Sequence, residues 1–95
     1  QKHYSPKTKV LLNQKKYITG SACLGFGKLP IAFRNCKHIF NLSLSENLFE
    51  ASHLLYEGLR YLDKFDLKFI QVLPIPSIGI GKALNDRLKR ASFNE

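Results

Sequence analysis

Apolar residues recur at steps of three and four along residues 46–62 and again along residues 80–92, which predicts two amphipathic helices. Between them, Ile70 and Val72 alternate with other residues as they do in a strand. Ser43 followed by Glu46 has the spacing of a capping box, and Ser45 is a second candidate cap for the first helix. An ending of strand, helix, strand and helix is typical of a right-handed parallel crossover. The fold class is therefore expected to be α/β, a layered domain with a mostly parallel sheet.

The first half of the chain is patterned as short apolar segments separated by turns. Four candidate strands lie within residues 9–12, 17–24, 31–33 and 38–42, with a glycine-containing loop over residues 25–30 and no helix expected in this half. Pro6 follows polar residues and predicts an extended surface linker, because the residue before a proline is displaced from the helical region. We therefore divide the chain into a linker segment, residues 1–9, and an α/β domain, residues 10–95.

Length and composition fit one folded domain. The chain has 95 residues, of which 44% are hydrophobic, and no apolar run approaches the roughly 20 residues that span a bilayer. It does not start with methionine and has no apolar leader, so we expect a piece of a longer chain without a secretion signal. Cys23 and Cys36 are expected to be free thiols, which favours a cytoplasmic location.

The positive charge is concentrated in the first half of the chain. Residues 1–45 carry eight Lys or Arg and no Asp or Glu, whereas residues 46–95 carry seven of each sign. The formal charge of +8 therefore comes entirely from the first half. This asymmetry suggests contact with an anion such as nucleic acid, a nucleotide or an acidic protein surface, and a merely solubilising surface is an equal alternative.

A phosphate-binding loop is the first chemical alternative, because glycines precede Lys28. A Walker loop needs glycine, four residues, then Gly-Lys-Ser/Thr. Alignment on Gly27 and Lys28 places Ala22 at the first glycine and Leu29 at the hydroxyl position, so the motif fails at two of its four fixed positions. Nucleotide hydrolysis by this chain is not expected.

Gly79 and Gly81 precede the second predicted helix. The start of a helix offers free amides and a positive dipole end to an anion. Close packing between strand and helix explains the same two glycines, and both explanations remain open. Lys9 is a further candidate for an anion or interdomain contact.

Metal binding and catalysis are both disfavoured by the sequence. Cys36 and His38 form one irregular pair, whereas structural zinc favours two pairs with defined spacing. Every Asp and Glu lies beyond residue 45, most of them on helix positions that appear solvated, and no Ser or Cys has a recognisable nucleophile setting. We expect no metal site and no catalytic residue in this chain.

Four ordered motifs carry a family resemblance. They are HYSPKT at residues 3–8, LGFG at 24–27, NLSLSENLFEASHLLYEGLRYLD at 41–63 and LPIPSIGIGKALNDRLKRAS at 73–92. Together they closely resemble the C-terminal domain of bacterial threonylcarbamoyl-AMP synthases of the two-domain type. The resemblance implies a small Rossmann-like domain that accompanies an N-terminal catalytic domain, which is not among these residues.

The resemblance also implies a function for the whole enzyme. Its catalytic domain condenses L-threonine, bicarbonate and ATP into threonylcarbamoyl-AMP and pyrophosphate, for the threonylcarbamoyladenosine modification of tRNA. The enzyme would thus be a nucleotidyltransferase of which this chain is a non-catalytic part. ATP, with or without Mg²⁺, would bind to the full enzyme, and no cofactor is expected in this domain.

The linker of the family can cover the catalytic cleft, which gives the first residues of this chain a role. The residues expected to face the nucleotide are His3, Tyr4, Ser5, Pro6, Lys7 and Thr8. The leading hypothesis is an accessory domain that gates the active site of the catalytic domain, with tRNA or a nucleotide as a further partner and no membrane contact. The alternative is a free-standing basic module that binds RNA.

Overall fold

The computed structural model of the chain describes residues 4–93, which fold as a four-stranded sheet with two helices. The elements in chain order are β1 (Lys9–Leu11), β2 (Ala22–Gly25), a 3₁₀ helix (Ile31–Phe33), β3 (Ile39–Asn41), α1 (Leu48–Asp63), β4 (Phe69–Val72) and α2 (Ile80–Ser92). The strand order is β1-β4-β2-β3, and each neighbouring pair is parallel. The predicted α/β class and parallel sheet are thus confirmed. Within the described residues, no helix has both the length and the apolar content needed to cross a bilayer.

Both predicted helices form, but α1 begins two residues later than expected because its cap is a different residue. Asn47 is the N-cap, and its side chain accepts a hydrogen bond from the Glu50 amide at 2.9 Å. Glu46 has a positive φ of 61° and is not helical, so the predicted capping box is wrong. The Ser43 hydroxyl instead accepts from the Asn47 amide at 2.8 Å and donates to the Glu50 carboxylate at 2.6 Å.

The strand predicted at residues 31–33 is wrong, since this segment is the 3₁₀ helix. Pro30 precedes it with an extended backbone, and the Phe33 amide donates to the Pro30 carbonyl at 2.9 Å. Ile31 is 78% exposed while Phe33 is fully buried. A single inward side chain is enough to dock one helical turn, and three apolar residues cannot distinguish that turn from a strand.

Both faces of the sheet are covered, as is usual for parallel strands. The two helices share one face: α1 packs on β2, β3 and β4, while α2 packs on β1 and α1. Leu24 and Ile70 from the sheet and Leu59 from α1 are fully buried in this core. The opposite face carries a smaller cluster built around Cys23 and Phe33.

The two cysteines are free thiols, as predicted, and both are buried. Burial, together with the nearby Cys36, raises the pKa of Cys23 to about 12. Burial also raises the pKa of Cys36, whose Sγ donates to the backbone carbonyls of Ser21 and His38 at 3.5 Å. These thiols therefore act as apolar packing groups rather than nucleophiles. Among the described residues, no three His, Cys, Asp or Glu side chains come together as a metal would require.

Candidate functional site

Residues 4–8 of the linker segment run along the α/β domain with alternate side chains inward and outward. Tyr4 is half-buried and Pro6 and Thr8 are buried, whereas Ser5 and Lys7 are exposed. The same alternation continues into β1, where Lys9 is exposed and Val10 is buried. This period of two is that of an extended chain. The linker was expected to lie on the surface, but three of these five side chains, Tyr4, Pro6 and Thr8, pack against the α/β domain instead.

One carboxylate at the end of α1 holds the linker segment. The Asp63 Oδ2 accepts from the Tyr4 hydroxyl at 2.7 Å and from the Lys7 amide at 3.1 Å. The other oxygen, Oδ1, accepts from the Thr8 amide at 2.9 Å and from the Thr8 hydroxyl at 2.7 Å. Asp63 is only 7% exposed. These four hydrogen bonds join residues at least 55 positions apart, and we call them the anchor.

The anchor keeps Asp63 ionised despite its position. A negative charge is disfavoured at the C-terminal end of a helix. Burial by itself raises the pKa of Asp63, but the hydrogen bonds from Thr8, Tyr4 and Lys7 outweigh it and lower the pKa below its ordinary value. A depressed pKa means that the carboxylate stabilises the fold above its ordinary pKa. That contribution is lost as the pH falls through the folded pKa.

Tyr4 is held in its neutral form at the same place. Burial first, and then the hydrogen bond and charge of Asp63, raise its pKa to about 12, while Arg60 acts in the opposite direction. The Arg60 guanidinium carbon lies 5.8 Å from the centre of the Tyr4 ring. A neutral phenol can donate to Asp63, so the two shifted pKa values describe one hydrogen-bonded pair.

The titration of Tyr4 tests this pair directly. In ¹³Cζ-tyrosine NMR, with the resonance assigned by Tyr4→Phe, we expect a pKa of about 12 in the folded chain. Asp63→Asn should lower it towards the ordinary value of about 10. The raised pKa stabilises the fold below pH about 10, and this stabilisation is lost as the pH rises through the folded pKa. A wild-type Tyr4 titrating near pH 10 would contradict the anchor.

Among the other predicted site residues, the described Lys9, Gly79 and Gly81 are not part of the anchor. His3 lies outside the described residues, and Lys9 begins β1. Gly79 and Gly81 lie at the opposite edge of the sheet, because α2 starts where the parallel strands end and the linker segment enters where they begin. The predicted residues therefore fall at two edges of the sheet.

Geometry accounts for both glycines at the start of α2. Gly79 has a φ of 51° and a ψ of −126°, a conformation that residues with a Cβ rarely adopt. A Cβ at Gly81 would collide with the Pro76 carbonyl oxygen. The Gly81 and Lys82 amides donate to the Ile78 and Gly79 carbonyls at 2.8 and 3.1 Å. Contacts thus support the close packing explanation for Gly81, whereas backbone conformation accounts for Gly79, where a Cβ would meet nothing within 4 Å.

Sequence reasoning missed Asp63, although a signal was present. Asp63 follows Leu59 by four positions and Leu62 by one, which places it on the apolar face of α1. An acidic residue on that face needs a partner, because an unpaired buried carboxylate is costly.

Fold and anchor together define a small parallel α/β domain that holds its own N-terminal segment against the last turn of a helix. Comparison with protein families agrees with the resemblance seen in the motifs. The family model described as "Threonylcarbamoyl-AMP synthase, C-terminal domain" matches residues 1–92 of the 95. The chain belongs to this family, whose members serve tRNA modification.

Proposed function

We propose that this chain is the accessory domain of a threonylcarbamoyl-AMP synthase and that it presents the linker to the active site of the catalytic domain, so gating that site. The reaction would be the condensation of L-threonine, bicarbonate and ATP. The observation that carries the proposal is the alternation along residues 4–9. Inward side chains attach the linker to the body, so a movement of the body moves the linker with it.

The outward side chains have the chemistry that a nucleotide-covering segment needs. Ser5, Lys7 and Lys9 are exposed, and two of the three carry positive charge. Lysine ammonium groups make charge-assisted hydrogen bonds to phosphate oxygens. The role of the inward Tyr4 and Thr8 is to position these groups rather than to touch the nucleotide, because their hydroxyls donate to Asp63.

The test uses the full two-domain enzyme, measured by pyrophosphate release. Lys7→Gln combined with Lys9→Gln is expected to lower kcat/KM for ATP at least about tenfold, because the loss of even one charge-assisted hydrogen bond has about this effect. The matched control is Lys15→Gln combined with Lys16→Gln, a pair of lysines that is also exposed. We expect the control pair to change kcat/KM less than about twofold. Equal effects of the two pairs would count against a nucleotide-facing linker.

The charge distribution supports a second candidate, direct RNA binding by the isolated chain. All of the +8 excess lies in residues 1–45. An RNA-binding module would bind tRNA with sub-micromolar affinity that falls steeply with salt. The gating proposal predicts weak tRNA binding by residues 1–95 together with loss of synthase activity when residues 1–9 are deleted from the full enzyme. The two candidates are separated by a salt titration and this deletion.

A further inference from the structure

A cavity of about 490 Å³ opens at the edge of the sheet where β4, β2 and β3 begin. Its walls come from the segments that lead into these neighbouring strands: Gly20 and Ser21 before β2, Lys37 and His38 before β3, and Leu67 before β4. Ligands of open parallel sheets usually bind at the opposite edge, beyond the carboxyl ends of the strands. Neither Asp63 nor any described residue of the linker segment lines the cavity. It is therefore separate from the anchor.

The polar groups around the cavity are matched to negative charge. Thr19, Asn35, Lys37 and His38 contribute hydroxyl, amide, ammonium and imidazole groups, and no described wall residue carries a carboxylate. Those walls are drawn mainly from the half of the chain that contains no Asp or Glu. These residues supply hydrogen-bond donors and one positive charge for an anion.

A buried hydroxyl in the wall is without a partner. Ser21 is 2% exposed, and its Oγ has no hydrogen bond within the described structure. Its backbone groups are engaged, because the amide donates to the Ile18 carbonyl and the carbonyl accepts from the Cys36 thiol. An unpaired buried hydroxyl is unfavourable for folding. This oxygen has almost no accessible surface, so a ligand in the cavity would not reach it, and Ser21 contributes to the wall only through packing.

Two aromatic side chains of the cavity wall, Tyr17 and His38, each pack against another ring. The Tyr17 ring packs against Phe33 with ring centres 5.8 Å apart, and the His38 ring packs against Phe65 at 4.2 Å. Rings fixed in this way offer faces and edges to a flat apolar group. The volume lies within the range of small-molecule sites. We infer that this cavity binds a small organic anion, a carboxylate or phosphate attached to a planar apolar body.

The test is a titration of the ¹⁵N-labelled chain, residues 1–95, followed by amide chemical shifts. The probes are phenyl phosphate and benzoate, with inorganic phosphate and acetate as anions that lack the planar body. We expect phenyl phosphate or benzoate to shift the amides of Gly20, Ser21, Lys37 and His38 with a dissociation constant of about 1 mM or tighter. Whichever of the two binds better identifies the anionic group. The bare anions should bind at least about tenfold more weakly.

Two variants assign the binding to this cavity. Thr19→Val and Lys37→Gln should each weaken binding about fivefold, and Lys82→Gln, an exposed lysine of α2, should not change it. Three outcomes would overturn the inference: no shift at 10 mM (about tenfold above the expected constant), shifts spread over the basic surface, or binding unchanged by both cavity variants. If inorganic phosphate bound as tightly as phenyl phosphate, the planar apolar group would contribute nothing to binding, and that part of the inference would be wrong.

Discussion

Asp63→Asn is expected to lower the free energy of unfolding by about 2–3 kcal/mol at pH 7. The amide replaces one carboxylate oxygen with an NH₂ group, which faces donors that previously had an acceptor. The Thr8 amide and hydroxyl, or the Tyr4 hydroxyl and the Lys7 amide, are then left without one. Urea unfolding followed by circular dichroism measures the loss.

The matched control is Asp66→Asn, the same change three residues along the chain. Asp66 is exposed and has a φ of 56°, a backbone conformation that asparagine tolerates well. We expect its effect to stay within about 0.5 kcal/mol. The difference between the wild type and Asp63→Asn should also shrink in acid, because the wild type loses its carboxylate contribution as the pH falls through the lowered pKa of Asp63. Equal losses for both variants would show that the anchor does not stabilise the fold.

Gly81→Ala is expected to destabilise the chain by about 3 kcal/mol, although alanine favours helices. The new Cβ would collide with the Pro76 carbonyl oxygen, which is backbone and cannot turn away. The first turn of α2 must then move off the sheet, and Leu84 and Leu88 move with it out of the core where they are fully or almost fully buried. The same urea titration measures the effect.

Lys82→Ala serves as the control for this prediction. It introduces the same side chain at the next position of α2, where the native residue is exposed. Its effect should stay within about 0.5 kcal/mol, as for most surface substitutions. If Gly81→Ala lowered the free energy of unfolding no more than Lys82→Ala, close packing would not explain Gly81. Anion binding at the start of α2 would then be the better explanation.

The helices and the sheet class could be predicted because their signals are long. α2 repeats its apolar spacing over 13 residues, and its observed bounds agree with the expected 80–92. The start of α1 was harder, since Ser43, Ser45 and Asn47 are all plausible caps and only tertiary contacts select one. Ile31–Phe33 is too short for periodicity to separate a strand from a helical turn.

The candidate site was predicted in part. The linker motif identified the residues, but Pro6 suggested a solvent-exposed linker, whereas it is fully buried. The alternation of Tyr4, Pro6 and Thr8 with Ser5 and Lys7 was visible in the sequence. The sequence did not show that Tyr4 and Thr8 bind Asp63. Asp63 is distant along the chain, and only the folded helix brings it to the linker. Contacts of this kind depend on the tertiary structure, which local patterns do not specify.

The burial of the two native thiols makes it possible to label a new cysteine selectively. Because both are buried and have raised pKa values, alkylating reagents at neutral pH should leave them unmodified. A new cysteine at Ser5, on the outward side of the linker, would be the accessible one. A spin label or fluorophore attached there could test the proposed approach of the linker to ATP, and Cys23 and Cys36 would not have to be removed first.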